Sequence, residues 1–493
     1  MKSRYQRMME QRLESISRIR AMGMDPYPHV YRPSHSIAQA RAAFGQHDDS
    51  PGRISLAGRI IGRRSMGKMS FLDIRDGSGK IQLSIRQDVL GAEGYRLLDD
   101  IDIGDFVGAE GKLFVTRAGE VTLEVSDLVM LCKSLHPLPE KWHGLADVEK
   151  RYRQRYLDLI SNEETRDVFL MRSRVIGAIR GFLDARGFVE VETPMLQPHA
   201  GGAAARPFVT HHHALGEDLY LRIALELHLK RLVIGGFDRV YEIGRTFRNE
   251  GISVRHNPEF TLLECYQAYA DYHDMMSLVQ EVFADASRRV LSTTRLDWGG
   301  AAIDLALPWQ RMTLREAIES YSGVDFEDFP DTASLRSRML ELGMEVERGK
   351  DRGRLIDELL STFVEPKLVQ PTFLLDYPVE MSPLAKRKRG NDRLTERFEG
   401  FVGGMEVANA FSELNDPLEQ RERFRQQSNR DVHSDDAEIA DEDFLEALEY
   451  GMPPTGGLGM GVDRMVMLFA GQQSIREVIL FPQLKTRSES GPA

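Results

Sequence analysis

Cysteine is nearly absent from this 493-residue chain: only Cys132 and Cys265 occur. Two thiols cannot build a zinc cluster or a disulfide framework, and their scarcity fits a reducing compartment. Missing too is any apolar run near the ~20 residues that a membrane span needs. The opening MKSRYQRMMEQRLESISRIR lacks the apolar centre of a signal peptide. A cytoplasmic protein with no membrane contact is therefore expected. Positive charge is not in excess either: 64 Lys and Arg stand against 76 Asp and Glu, a net charge of −12. That argues against an indiscriminate polyanion binder, and DNA is not an expected partner, but a local basic patch on an acidic body remains open. What is present is ordinary for a globular protein, 42% hydrophobic and 28% charged, with length for two or three domains.

The most informative stretch is RVYEIGRTFRNEGISVRHNPEFTLLECYQAY, residues 239–269. It reads as two strands joined by a polar loop. Side chains alternate along a strand, so Glu242, Thr246, Arg248 and Glu250 share one face of the first. Phe260, Leu262, Glu264 and Tyr266 share one face of the second. A half-buried structural hairpin would put Leu and Val inward. This one offers a guanidinium, an aromatic ring and carboxylates, which suits a polar ligand better than a solvated surface. The loop Arg255-His256-Asn257-Pro258-Glu259 adds a cation, a ring nitrogen and an amide where a phosphate tail could rest.

FRNEG…RHNPEF resembles motif 2 of the class II aminoacyl-tRNA synthetases, and LLECYQAYADYHD is similar to the lysine-specific branch of that class. The resemblance implies an α+β fold: an N-terminal five-stranded OB-type barrel, then a catalytic domain with an antiparallel sheet flanked by helices.

Taken in order, residues 1–48 read as a helix and lead-in, with Met8, Met9, Leu13, Ile16 and Ile19 near helical spacing. The helix packs on a barrel flank, or its arginines 4, 7, 12, 18 and 20 touch RNA. Residues 49–135 hold five short strands, the pattern of an OB barrel. Arg63, Phe71 and Gln82 are candidates to stack on and read bases, although a Phe in a barrel is as often core. The resemblance favours anticodon binding, since GKMSF and KIQL match the segments that supply a stacking Phe and a reading Gln. Asp127 is a looser match beside them. Residues 136–165 are a linker with a basic helix, in which Arg151, Arg153 and Arg155 are solvated or interface charges, or phosphate contacts.

Residues 166–493 form the expected catalytic domain, with a helical insertion at about 313–362 that carries no evident chemistry. The helix 166–186, then FVEVET and Pro194, resembles motif 1, which implies a homodimer. GGAAARPFVTHH resembles the loop over the amino-acid pocket, with Gly202 at the ligand. His211, His212 and His213 alternate in direction on a strand, and no further ligand completes a metal set. Glu226 could pair with an α-ammonium group. The lysine branch usually has Pro just before it, where this chain has Leu225, and a looser turn is expected.

Farther on, Gly403-Gly404 suits a two-residue hairpin turn. Phe401 then faces Glu406, with Glu399 diagonal to it, at about 7–8 Å between Cα atoms. Two such carboxylates can converge on Mg²⁺ bound to ATP phosphates. Asn409, Phe411 and Glu413 share a face but stand at odd spacing from Glu406, so a bulge is expected between 406 and 409. Lys386–Arg389 reads as a basic loop near the phosphates or a solvated one. GLGMG at 457–461 is neither GxGxxG nor a Walker loop, but PPTGGLGMGVDRMVMLFAG resembles class II motif 3, with Arg464 near a helix start.

The resemblance implies ATP-dependent attachment of L-lysine to tRNA(Lys) through a lysyl-adenylate. Arg248 and Arg464 would be catalytic. Arg248, Glu250, His256, Phe260 and Arg464 would bind ATP. Gly202, Glu226, Arg248, Glu264, Tyr266, Asn409, Phe411 and Glu413 would bind lysine, and Glu399 and Glu406 would hold Mg²⁺. Chemistry agrees on the substrate: a buried cation needs hydrogen-bonded carboxylates. The rivals are a relative that lysylates protein, which would lack the barrel; a phospholipid lysyl-transferase, which would need membrane spans; and a non-catalytic OB-type RNA binder.

Overall fold

The computed structural model describes residues 3–46, 52–139, 145–199, 201–203, 205–430 and 441–485. The expected boundary at 48/49, residues 140–144 of the expected linker and Ala204 of the pocket loop lie outside the described residues. The chain forms two compact units, Met1–Ala146 and Asp147–Ala493.

The first unit opens with α1 (Arg4–Ala21), started by a capping box between Ser3 and Gln6, and α2 (Ile37–Gln46). Ile16 and Ile19 of α1 are buried as its spacing implies, but Leu13 is exposed. Arg12 takes the inner position instead, donating to the carbonyls of Ile103, Ser134 and His136. Arg18 is held by Asp100 at 2.7 Å, so the helix spends part of its basic face on the barrel. The barrel strands are β1 (Ile54–Met66), β2 (Met69–Arg75), β3 (Lys80–Arg86), β4 (Phe106–Val115) and β5 (Val121–Cys132). They close in the order β1-β2-β3-β5-β4 around Leu56, Ile60, Leu72, Leu83 and Val125. All five strands were expected from alternation.

The second unit is built on eight strands: β6 (Val189–Glu190), β7 (Arg239–Phe247), β8 (Glu259–Ala268), β9 (Gln310–Thr313), β10 (Thr372–Leu375), β11 (Arg397–Val402), β12 (Met405–Ser412) and β13 (Thr455–Gly461). Their order is β9-β10-β11-β12-β13-β8-β7-β6. The six central strands are antiparallel, and the two edge pairings, β9–β10 and β6–β7, are parallel. The sheet is thus mixed at its edges rather than wholly antiparallel.

Its back face is apolar: Tyr241, Leu263, Cys265, Phe398, Ala408, Ala410, Leu458 and Met460. They pack on α3 (Glu163–Asp184), α4 following as Glu226–Ile234 on the other side of the site, then α5 (Tyr272–Leu291) and α6 (Val462–Ala470). Each fully buried Leu, Met or Phe there contributes roughly 1.5–3 kcal/mol. With the back covered, the polar residues of the same strands face forward. The expected insertion holds helices Leu314–Ser322, Thr332–Glu341 and Arg352–Leu359 over a core of its own, which also buries Phe401 and Leu374. No helix among the described residues is long and apolar enough to cross a membrane.

Candidate active site

Strand register assembles the front face row by row. Glu242, Glu264, Gly459, Asn409 and Glu399 form one row across β7, β8, β13, β12 and β11. Tyr266, Gly457, Phe411 and Arg397 form the next, and Gly244, Leu262 and Gly461 the one on the other side. The glycines of β13 leave a trough floor. At Gly457 a Cβ would stand 1.8 Å from Glu413 Oε1, so any other residue would displace that carboxylate. The turn Gly403-Gly404 has φ of +64° and +71°, which glycine adopts freely. Phe401 pairs with Glu406 and Gly400 with Ala408, so Val407 is the extra residue of the expected bulge. It turns Glu406 to the same side as Asn409, Phe411 and Glu413.

A cavity of about 780 Å³ opens on this face. Gly202, Glu226, Arg248, Glu250, His256, Phe260, Glu264, Tyr266, Glu406, Asn409, Phe411, Glu413 and Arg464 all line it. Three regions follow. At one end the Arg248 guanidinium lies 5.2 Å from the centroid of the Phe260 ring, a flat surface on which a base could stack. Arg464, in the first turn of α6, donates to the Glu406 carbonyl at 2.5 Å and to its carboxylate at 3.1 Å. Asp463 anchors that turn by accepting from Thr261 N–H at 2.7 Å and from Arg172 at 2.5 Å. The loop 251–257 is folded on Ser253, which meets His256 Nδ1 at 3.0 Å.

At the other end lies a buried acidic pocket. Glu226, Glu264 and Glu413 are almost wholly buried. Glu264 Oε1 accepts from Leu225 N–H at 3.0 Å and Oε2 from the Tyr266 hydroxyl at 3.0 Å. Burial, reinforced by Glu226, pushes the Glu264 carboxyl up to about 7, with those two donors pulling against it. Burial also raises Glu413, although Lys230 opposes it.

Between them, Glu399 is on the same face but does not line the cavity. The Tyr377 hydroxyl covers it at 2.9 Å and Arg397 at 2.6 Å. Glu242 is likewise diverted: Arg222 at 2.6 Å and the Thr193 hydroxyl and N–H hold it. Lys386, Arg387, Lys388 and Arg389 are off the cavity, paired with Asn415, Glu419, Asp376, and Glu396 with Asp271. Arg155 is fully buried on Asp158 at 2.6 Å, and Arg151 and Arg153 pair with Glu477 and Glu149. These basic runs serve the fold. His211 meets Asp218 at 2.7 Å.

Sequence reasoning missed Lys230, buried behind the pocket, and Arg397, Asp351, Arg354 and Asp357, which line the cavity. Lys230 stands four residues after Glu226, a spacing that brings side chains together on a helix.

On the barrel, Phe71 faces outward beside Ser84, and Gln82 accepts from Thr122 Oγ1 at 3.2 Å. Arg63 is a correction. Ile61 is bulged between Ile60 and Gly62, so parity changes there. Arg63 turns to the Leu72 side and donates to Ile101 O at 2.7 Å. Arg64 takes its place, 6.0 Å from the Phe71 ring centroid. Glu124, opposite Ser84, is on this face, whereas Asp127 pairs with Glu110 farther along.

Comparison with known proteins agrees. Residues 147–485 match the family described as tRNA synthetases class II (D, K and N), and residues 54–131 match the OB-fold nucleic acid binding domain. Similar proteins include lysine–tRNA ligases of Dehalococcoides mccartyi strain CBDB1, 57% identical over 97% of this chain and 98% of theirs. That of Moorella thermoacetica is 55% identical over 98% of each, and that of Roseiflexus castenholzii 52% over 97% and 99%.

Proposed function

Because the chain belongs to the class II tRNA synthetases of the D, K and N group, among the lysine–tRNA ligases, we propose that it joins L-lysine to tRNA(Lys) at the expense of ATP. The lysine carboxylate attacks the α-phosphate, giving lysyl-adenylate and pyrophosphate. A terminal ribose hydroxyl of the tRNA then takes the lysyl group and AMP leaves. Negative charge develops at phosphorus and then at the carbonyl oxygen, so fixed cations and positioning supply the acceleration.

The observation that carries the reading is the shared cavity of Arg248, Glu264, Tyr266, Glu413 and Arg464. Arg248 would meet the lysine carboxylate and α-phosphate while its neighbour Phe260 stacks on adenine. Glu250 and His256 would touch ATP, and Arg464 would grip the phosphates. Gly202 and Glu226 would take the α-ammonium, and Glu264, Tyr266 and Glu413 the ε-ammonium. Asn409 and Phe411 would form the wall between.

Glu406 lines the cavity and Glu399 lies on the same face, held by Tyr377 and Arg397. Burial raises the Glu399 carboxyl to about 7; Arg397 pulls it down and Glu406 pushes it further up. Such a pair gains from an added cation. They would hold Mg²⁺ on ATP, which when bound would neutralise phosphate charge. The barrel, with Phe71 and Arg64 outward and Gln82 buried against Thr122 beside them, would bind the anticodon. A homodimer is part of the reading: exposed Leu170 and Val189 lie in the stretch that resembles motif 1, and exposed Met195 and Leu196 follow it directly. So is a cytoplasmic setting, where tRNA and ATP are met.

Lysine-dependent exchange of pyrophosphate into ATP, run across the amino acids, tests it. Exchange with lysine alone is expected. No exchange with any amino acid would overturn the reading, and exchange with aspartate or asparagine would move the chain to another branch.

A further inference from the structure

The proposed lysine pocket contains more acid than one ammonium tip requires. Glu226, Glu264 and Glu413 are 6%, 5% and 1% exposed, and all three line the cavity. Behind them stands Lys230, fully buried and not on the cavity wall. Its ammonium lies 2.5 Å from Glu226 Oε1 and directly against Glu413 Oε2. The Phe411 and Phe444 rings close over it, with centroids 5.7 and 5.8 Å from Nζ. Glu413 Oε1 is buried and has no hydrogen-bond partner among the described residues. Among the described residues Glu264 contacts no cation: its bonds come from Leu225 N–H and the Tyr266 hydroxyl, with Arg248 acting on it from farther off.

We propose that Lys230 is a specificity-determining positioning residue, a resident cation that leaves the three acids two negative charges in excess and so matches an amino acid with two ammonium groups. This rests on the lysine-activating reading above. Three carboxylates this close in a water-poor pocket would not all stay ionised on their own. Burial alone would lower Lys230, but Glu226 and Glu413 outweigh it and hold the ammonium above the ordinary lysine value. It therefore stays charged at working pH, and at Glu413 its charge opposes the upward push of burial. A substrate with a neutral side chain fills only one of the two remaining charges. It strands a buried carboxylate, which is strongly disfavoured.

The test measures exchange kinetics of the full chain against pH. Lys230→Met and Lys230→Gln should raise the KM for lysine about tenfold or more with the KM for ATP within about twofold, since the lost charge acts only through the lysine pocket. The acid limb of kcat/KM for lysine should move up by about one pH unit, because the acids lose their cation. Lys230→Arg keeps the charge and should keep the limb. An unmoved limb, or equal shifts in the two KM values, overturns the proposal. Lys230→Met/Glu413→Gln removes both partners of a buried pair, which folds tolerate better than removing one. Its limb should lie above that of Glu413→Gln alone; coincidence of the two also overturns the proposal. A wild-type chain without lysine-dependent exchange instead overturns the activity reading itself.

Discussion

Leu225 N–H donates to Glu264 Oε1 at 3.0 Å, a bond that proline, lacking the N–H, cannot make. Where the lysine branch usually carries that proline, a looser turn was expected. The structure instead gains a donor aimed at a pocket carboxylate. Leu225→Pro should therefore raise the KM for lysine by about tenfold, the usual weight of a hydrogen bond to a charged group. Leu225→Ala keeps the N–H and should stay near wild type. Equal kinetics for the two variants would show the bond to be idle. The same carboxylate sets a pH dependence. Glu264 is held up to about 7 by burial and by Glu226. Below that pH it is protonated and cannot pair with an ammonium; above it the charge is present. The kcat/KM for lysine should climb through pH about 7 and level off above, while the KM for ATP stays flat. A lysine profile without that rise counts against Glu264 as the ammonium partner.

At the scale of elements, alternation made most of the site readable. The faces of β7 and β8 follow directly from period two, and the bulge at Val407 follows from the odd spacing of Glu406 and Asn409. What alternation could not show was a bulge with no such conflict to betray it. Ile61 is that case, and it exchanged Arg63 for Arg64. Nor does period two reveal every group that covers a carboxylate: Glu242 and Glu399 face forward but meet Arg222 and the Tyr377 hydroxyl from other segments. Lys230 was legible only as a helical partner of Glu226, and its second partner, Glu413, is distant in sequence. The glycines of β13 also differ among themselves. A Cβ at Gly457 would meet Glu413 and Tyr266 at 1.8 and 2.6 Å, whereas at Gly459 its neighbours are 3.7 Å away or more. Gly457→Ala should cost about 1–3 kcal/mol through overpacking, seen as a lower Tm, and should raise the KM for lysine as Glu413 is displaced. Gly459→Ala should leave the Tm within error of wild type. The same fall in Tm for both would mean that β13 needs glycine for its backbone, not for Glu413.

For the whole molecule the decisive feature is that each of the two units has a hydrophobic core of its own. The chemistry-bearing residues of the cavity all belong to the second unit, so activation of lysine calls on nothing from the barrel. A net charge of −12 works against a broad electrostatic grip on tRNA, and places more of the recognition on local stacking and edge reading by the barrel. Phe71→Ala and Gln82→Ala should then separate the two half-reactions. Loss of a stacked base is worth about 1–3 kcal/mol, so the KM for tRNA in lysine attachment should rise roughly 5- to 150-fold in Phe71→Ala. Lysine-dependent pyrophosphate exchange, measured without tRNA, should keep its wild-type kcat and KM values in both variants. Arg63→Ala should have the smaller effect on tRNA and Arg64→Ala the larger, because only Arg64 shares the outward face with Phe71. A barrel variant that lowers exchange as much as attachment would show that the outward face acts through the fold of the chain and not through RNA.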